Sequence, residues 1–91
     1  MERDVTILDR VREVYPTLTK SQKLIADSIL ENWENIAFVS PRELGARLGV
    51  SETTVIRFAR SLGYESFTDL RQHSQDLIKE RLTPAEKMSA T

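Results

Sequence analysis

The 91-residue chain contains no cysteine. That excludes disulfides and thiolate metal sites, and it leaves a reducing compartment compatible. There is one histidine, His73. No Ser/His/Asp constellation can be placed around it by spacing, so it reads as a surface helix residue, and no metal site, cofactor or catalytic group is expected. Glycine is scarce: Gly45, Gly49 and Gly63 are the only three, and they do not form a phosphate-cradling loop. No apolar run approaches the ~18 residues that a transmembrane helix needs. The start, MERDVTILDR, mixes acids with bases and lacks a long apolar stretch, so it is no signal peptide. A cytoplasmic protein without membrane contact is expected. Period-two alternation, internal repeats and low-complexity tracts are also missing.

What is present suits one soluble domain of modest core: 40% hydrophobic and 30% charged residues. The net charge of −1 argues against a surface that binds nucleic acid everywhere. The charge is unevenly placed, however. Residues 1–40 hold five bases and seven acids, and residues 72–91 balance at three each. Residues 41–71 carry Arg42, Arg47, Arg57, Arg60 and Arg71 against Glu43, Glu52, Glu65 and Asp69.

Capped, periodic segments predict an all-α, compact bundle of about five helices. The first runs from about Asp4, its cap, to Val14, with an apolar stripe of Ile7, Leu8, Val11, Val14 and Tyr15. Tyr15-Pro16 stops it, because the residue before proline is pushed out of the helical region. Thr19 and Gln22 have capping-box spacing and open a second helix to about Asn32 or Trp33. Leu24, Ile25, Ser28, Ile29, Asn32 and Trp33 define its buried side, with Trp33 as a core anchor. Ile36-Ala37-Phe38-Val39 reads as a connector that plugs into the core. A last helix runs from Phe67 to about Arg81, with Ser66 and Asp69 at its start and Thr83-Pro84 breaking it. Residues 1–81 then form the domain, and 82–91 a linker or tail.

The stretch between these parts, PRELGARLGVSETTVIRFARSL, organises the chain. Ser40-Pro41-Arg42-Glu43 starts a helix, with Ser40 as N-cap and Pro41 where its missing N–H costs nothing. Gly49 ends it with the left-handed backbone of a tight turn. Ser51 caps the next helix, which Leu62-Gly63 ends in the same way. Val55, Phe58, Ala59 and Leu62 form its apolar stripe, while Thr53, Ile56, Arg57 and Arg60 form an opposite face. Leu44, Leu48, Val50, Val55 and Phe58 can lock a close crossing, and Gly45 keeps the first helix bare where the second approaches. A small polar start, Ser51, Glu52, Thr53 and Thr54, can reach base edges. This is the pattern of a helix-turn-helix that reads double-stranded DNA.

Roles follow from chemistry. Arg57 suits guanine or a phosphate, Ile56 a thymine methyl, Thr53 a base edge, and Glu52 a cytosine amine or the helix dipole. Ser51 and Thr54 suit phosphate, Arg60 and Ser61 the backbone, and Lys20 and Arg71 are secondary candidates.

SPRELGARLGVSETTVIRFARSLGYESFTDLR, together with LTKSQKLIADSILENWENIAFVSPRELG, resembles the N-terminal domain of RpiR-type bacterial transcription regulators across about residues 3–81. The resemblance implies a helical DNA-binding domain and no enzyme. It also implies a following SIS-type domain that senses a sugar phosphate, control of sugar metabolism, and a homodimer or higher oligomer. A helical protein-interaction module using the same exposed face is the alternative.

Overall fold

The computed structural model describes the backbone of residues 6–90 and the side chains of residues 6–80. The described residues form five α-helices: α1 (Ile7–Val14), α2 (Lys20–Glu31), α3 (Pro41–Leu48), α4 (Glu52–Ser61) and α5 (Phe67–Ala90). Two 3-10 turns, Tyr15–Thr17 and Trp33–Ile36, connect α1 to α2 and lead out of α2. The described residues contain no strand.

Helix starts follow the capping chemistry. Thr19 and Gln22 exchange side chain-to-backbone hydrogen bonds at the head of α2, and Ser40 and Glu43 do so at the head of α3. The head of α1 differs from the expectation. Asp4 lies outside the described residues, and Thr6 caps the helix in a box with Asp9. Both residues have the required oxygens at the required spacing. At the other end α1 does stop at Val14, yet Tyr15 stays in the right-handed helical region at φ −47°, ψ −47°. The chain tightens into a 3-10 turn carrying Pro16 instead of swinging out.

One core joins all five helices. Ile7 and Val11 of α1, Ile25, Ala26 and Ile29 of α2, Leu44 of α3, Val55, Phe58 and Ala59 of α4, and Phe67 and Leu70 of α5 are buried. On α2 the buried face is therefore turned from the one expected. Ala26 is inside, while Leu24 is 46% exposed and Asn32 lies at the surface. The helix faces both α1 and α4, and Leu24 falls on its outer edge. Trp33 is half-buried against the core, and Leu77 packs there too. In the connector Ile36, Ala37 and Val39 are buried as expected, but Phe38 stands 74% exposed.

The connector's polar backbone is held by α5. Arg71 Nη1 donates to the Val39 carbonyl at 3.1 Å, Gln75 Nε2 to the Ala37 carbonyl at 2.7 Å, and Ser74 Oγ to the Trp33 carbonyl at 3.5 Å. Positions 71, 74 and 75 share one side of a helix, so α5 presents all three to one stretch of chain. This fixes the entry into α3. Arg71, a secondary DNA candidate by sequence, thus has its guanidinium on a carbonyl inside the domain. Replacing Gln75 with leucine leaves a carbonyl unpaired in a buried residue, and should lower unfolding stability by about 1–3 kcal/mol. Urea titration followed by circular dichroism measures it, and an unchanged midpoint would show that the bond contributes nothing.

Helix α5 also departs from expectation at its far end. Thr83-Pro84 does not break it, and the helix continues to Ala90. Proline lacks the N–H that would bond four residues back, but one missing bond interrupts a long helix without ending it. The backbone of residues 82–90 therefore continues α5 as helix.

Candidate nucleic-acid interface

Helices α3 and α4 meet through a turn of three residues, 49–51. Gly49 has φ 75°, ψ 28°, the left-handed conformation a β-carbon disfavours. The N–H groups of Gly49 and Val50 both reach back to the Gly45 carbonyl, the latter at 2.9 Å. This fold-back brings the turn's own backbone over α3. A β-carbon built on Gly45 would lie 2.6 Å from the Val50 carbonyl oxygen and 3.4 Å from the Ser51 carbonyl group. Gly45 is bare, as expected, but the approaching group is the carbonyl of the turn more than the body of α4. Val50 is half-buried against the core and finishes the turn.

Past the turn, Ser51 Oγ accepts the Thr54 N–H at 3.0 Å and shares a 2.8 Å hydrogen bond with Thr54 Oγ1. Two hydroxyls carry two protons, and the shared bond uses one. The pair keeps one O–H to offer outward. Val55, Phe58 and Ala59 are fully buried, and Leu62 nearly so, which fixes the rotation of α4 about its axis. Thr53, Arg57 and Arg60 are consequently exposed together on the opposite side. Ile56 is half-buried, less open than its sequence position suggests. Glu52 is exposed in the first turn, where its charge complements the helix dipole. Ser61 Oγ donates to the Arg57 carbonyl at 3.1 Å, so its proton is committed within the helix.

Neither Arg57 nor Arg60 has a hydrogen bond or ion pair to its guanidinium among the described residues. Two unneutralised planar cations one turn apart, beside a short polar helix start, present five N–H donors each to an acceptor-rich surface. A major groove, with guanine O6 and N7 and flanking phosphates, offers such acceptors. No described group of three or more His, Asp or Glu residues is placed to hold a metal ion.

Residues 5–86 match the helix-turn-helix domain of the rpiR family. The chain belongs to that family. This rpiR-family domain is also 34% identical over 71 residues to an uncharacterized HTH-type transcriptional regulator of Haemophilus influenzae. The match covers 78% of the chain and 25% of the relative, so the chain spans about a quarter of that protein's length. The chain's described residues carry the helix-turn-helix of that family with helices as the only regular elements. No described helix is long and apolar enough to cross a membrane.

One set of residues around the interface is not legible from the motif. Arg10 of α1 donates from Nη1 to the Leu62 carbonyl at 3.0 Å, at the C-terminal end of α4. Its guanidinium carbon lies 4.7 Å from the centre of the Tyr64 ring. The Tyr64 hydroxyl and His73 Nδ1 share a 2.6 Å hydrogen bond, with rings tilted at 51°. Burial pushes the Tyr64 phenol above its ordinary value, and the nearby Arg10 charge opposes this. His73 is therefore no plain surface histidine: it is half-buried and ties α5 to the end of α4. The sequence does carry one signal for Arg10. It sits three residues after Ile7 and four before Val14, on the edge of the apolar stripe.

Proposed function

We propose that this domain binds DNA sequence-specifically, as the N-terminal reading head of a cytoplasmic bacterial transcription regulator of sugar or sugar-phosphate metabolism. The carrying observation is the α4 face on which Thr53, Arg57 and Arg60 are exposed together, with neither guanidinium paired among the described residues. Ser51, Glu52, Thr54, Ile56 and Ser61 complete the proposed contact region. Residues near the N-terminus of such a helix go deepest into the major groove. Support for the metabolic assignment is the RpiR-type resemblance, together with a relative about four times the length of the match. In that reading a sugar-phosphate effector binds a further domain, toward which α5 leads, and the DNA-binding domain itself takes no cofactor and performs no catalysis.

Two copies should act together. The interface stretch has a charge balance of only +1, so one copy has few phosphate contacts. Paired half-sites about one helical turn apart, ~34–36 Å, make up the difference. Selection from a random DNA pool is the direct test, followed by titration at several salt concentrations. A recovered palindromic consensus and a steep salt slope are expected, with weak binding of the 91-residue chain to an isolated half-site. A half-site bound as tightly as the palindrome would count against the two-copy arrangement. No recovered consensus and a flat slope would move α4 to a protein-interaction role.

A further inference from the structure

We infer that Arg10 is a positioning residue for DNA recognition, holding the C-terminal end of α4 against α1 and α5 without touching DNA itself. The inference rests on the DNA-reading role of α4 proposed above. Three observations carry it.

The end of α4 is a tight, hydrogen-bonded backbone turn. Gly63 donates to the Arg60 carbonyl at 2.9 Å and Tyr64 to the Ala59 carbonyl at 3.2 Å, with Gly63 at φ 100°. This pair of bonds closes the helix in a Schellman motif and turns the chain toward α5. The Leu62 carbonyl is left without a helical partner. Arg10 supplies one, and its charge sits at the negative end of the α4 dipole.

Arg10 is itself fixed. It comes from a helix anchored by the buried Ile7 and Val11, and its guanidinium lies over Tyr64. Tyr64 is in turn bonded to His73 of α5. Three helices are thereby joined through one chain of side chains that ends on Leu62. A β-carbon on Gly63 would lie 3.0 Å from Arg10 Nη1, so the glycine also leaves room for the guanidinium.

The clamp lies next to the reading face. Leu62 is only two residues beyond Arg60. With the end of α4 less firmly held, the helix presents Arg57 and Arg60 over a wider range of orientations, while their charges stay on the same face. Positioning loss should therefore reduce discrimination between sequences and leave the nonspecific electrostatic attraction in place.

The experiment compares the 91-residue chain with Arg10→Met and Arg10→Lys, on the selected DNA site and a scrambled one, over a series of salt concentrations. Circular dichroism at the working temperature confirms that each variant is folded. Arg10→Met should lose about tenfold in affinity for the selected site. Its scrambled-site affinity and both salt slopes should match the parent. Arg10→Lys should recover part of the loss, since an ammonium can still donate to the Leu62 carbonyl but cannot lie flat over the ring. A merely structural role would lower the melting temperature and leave the ratio of the two affinities unchanged. If Arg10→Met does not fold, Arg10→Lys decides alone, by a reduced ratio at an unchanged slope. A salt slope reduced by one phosphate contact would overturn the inference by placing Arg10 on the DNA. Variants that select as well as the parent would overturn it while leaving the DNA reading intact. A parent that selects no sequence would overturn both.

Discussion

Replacing Gly45 with alanine should destabilise the domain by about 1–3 kcal/mol, and by more if the turn cannot relax. The added carbon would lie 2.6 Å from the Val50 carbonyl oxygen, a backbone atom with no rotamer to escape through. Either α3 moves away from the turn or the turn opens. Opening stretches the bonds from Gly49 and Val50 to the Gly45 carbonyl and tilts α4, so specific DNA binding should fall with stability. Gly49→Ala is the informative companion. Nothing lies within 4 Å of its added carbon, and only the left-handed backbone at φ 75° opposes it. That costs about 1–2 kcal/mol. Urea midpoints should therefore fall in the order parent, Gly49→Ala, Gly45→Ala. A Gly45→Ala protein with the parent's midpoint would mean that the turn yields freely and that the close approach does not constrain the motif.

Arg57→Ala should lower affinity for the selected DNA site by about 1–3 kcal/mol and relax preference at one base position. Arg60→Ala should weaken binding to selected and scrambled DNA more evenly, and lower the salt slope by about one contact. Both side chains are exposed on the same face of α4, but Arg57 lies one turn nearer the helix start. The buried Val55, Phe58 and Ala59 set the rotation of that face, and the Ser51 cap sets where the helix begins. In the proposed docking the later arginine leaves the groove sooner, toward the phosphates. The measurement is a set of titrations on both DNAs at several salt concentrations. If Arg57→Ala weakens both DNAs alike and Arg60→Ala only the selected one, the two roles are exchanged. If neither matters on any DNA, α4 meets some other partner.

Much of the motif was legible because its signals are local. Ser40 with Glu43, Ser51 with Thr54, and Gly49 act within a few residues, so their spacing in the chain is their spacing in space. The stripe at 55, 58, 59 and 62 needs only the helical period. Departures arose where distant segments decide. Leu24 and Ala26 differ in burial because α1 and α4 both press on α2. Phe38 is exposed because the connector is fastened by Arg71 and Gln75 from more than thirty residues away. His73 looked like a surface residue because its partner Tyr64 comes from the loop after α4. Asp4 gave way to Thr6 as the α1 cap, since several polar residues near a helix start compete for one place.

The sequence by itself determined the helices, their caps, the turn at Gly49 and the polar, basic face of α4, because each follows from short-range geometry and hydrogen bonding. The RpiR-type resemblance is carried by the same short-range motifs. Only the tertiary structure decided how that face is aimed. Arg10, Tyr64 and His73 join α1, α4 and α5, while Arg71, Ser74 and Gln75 fix the approach to α3. These are contacts between residues far apart in the chain, and no helical period can encode them. The physical reason is that buried carbonyls at helix ends and connectors must find donors, and the packing of the helices settles which side chains can reach them.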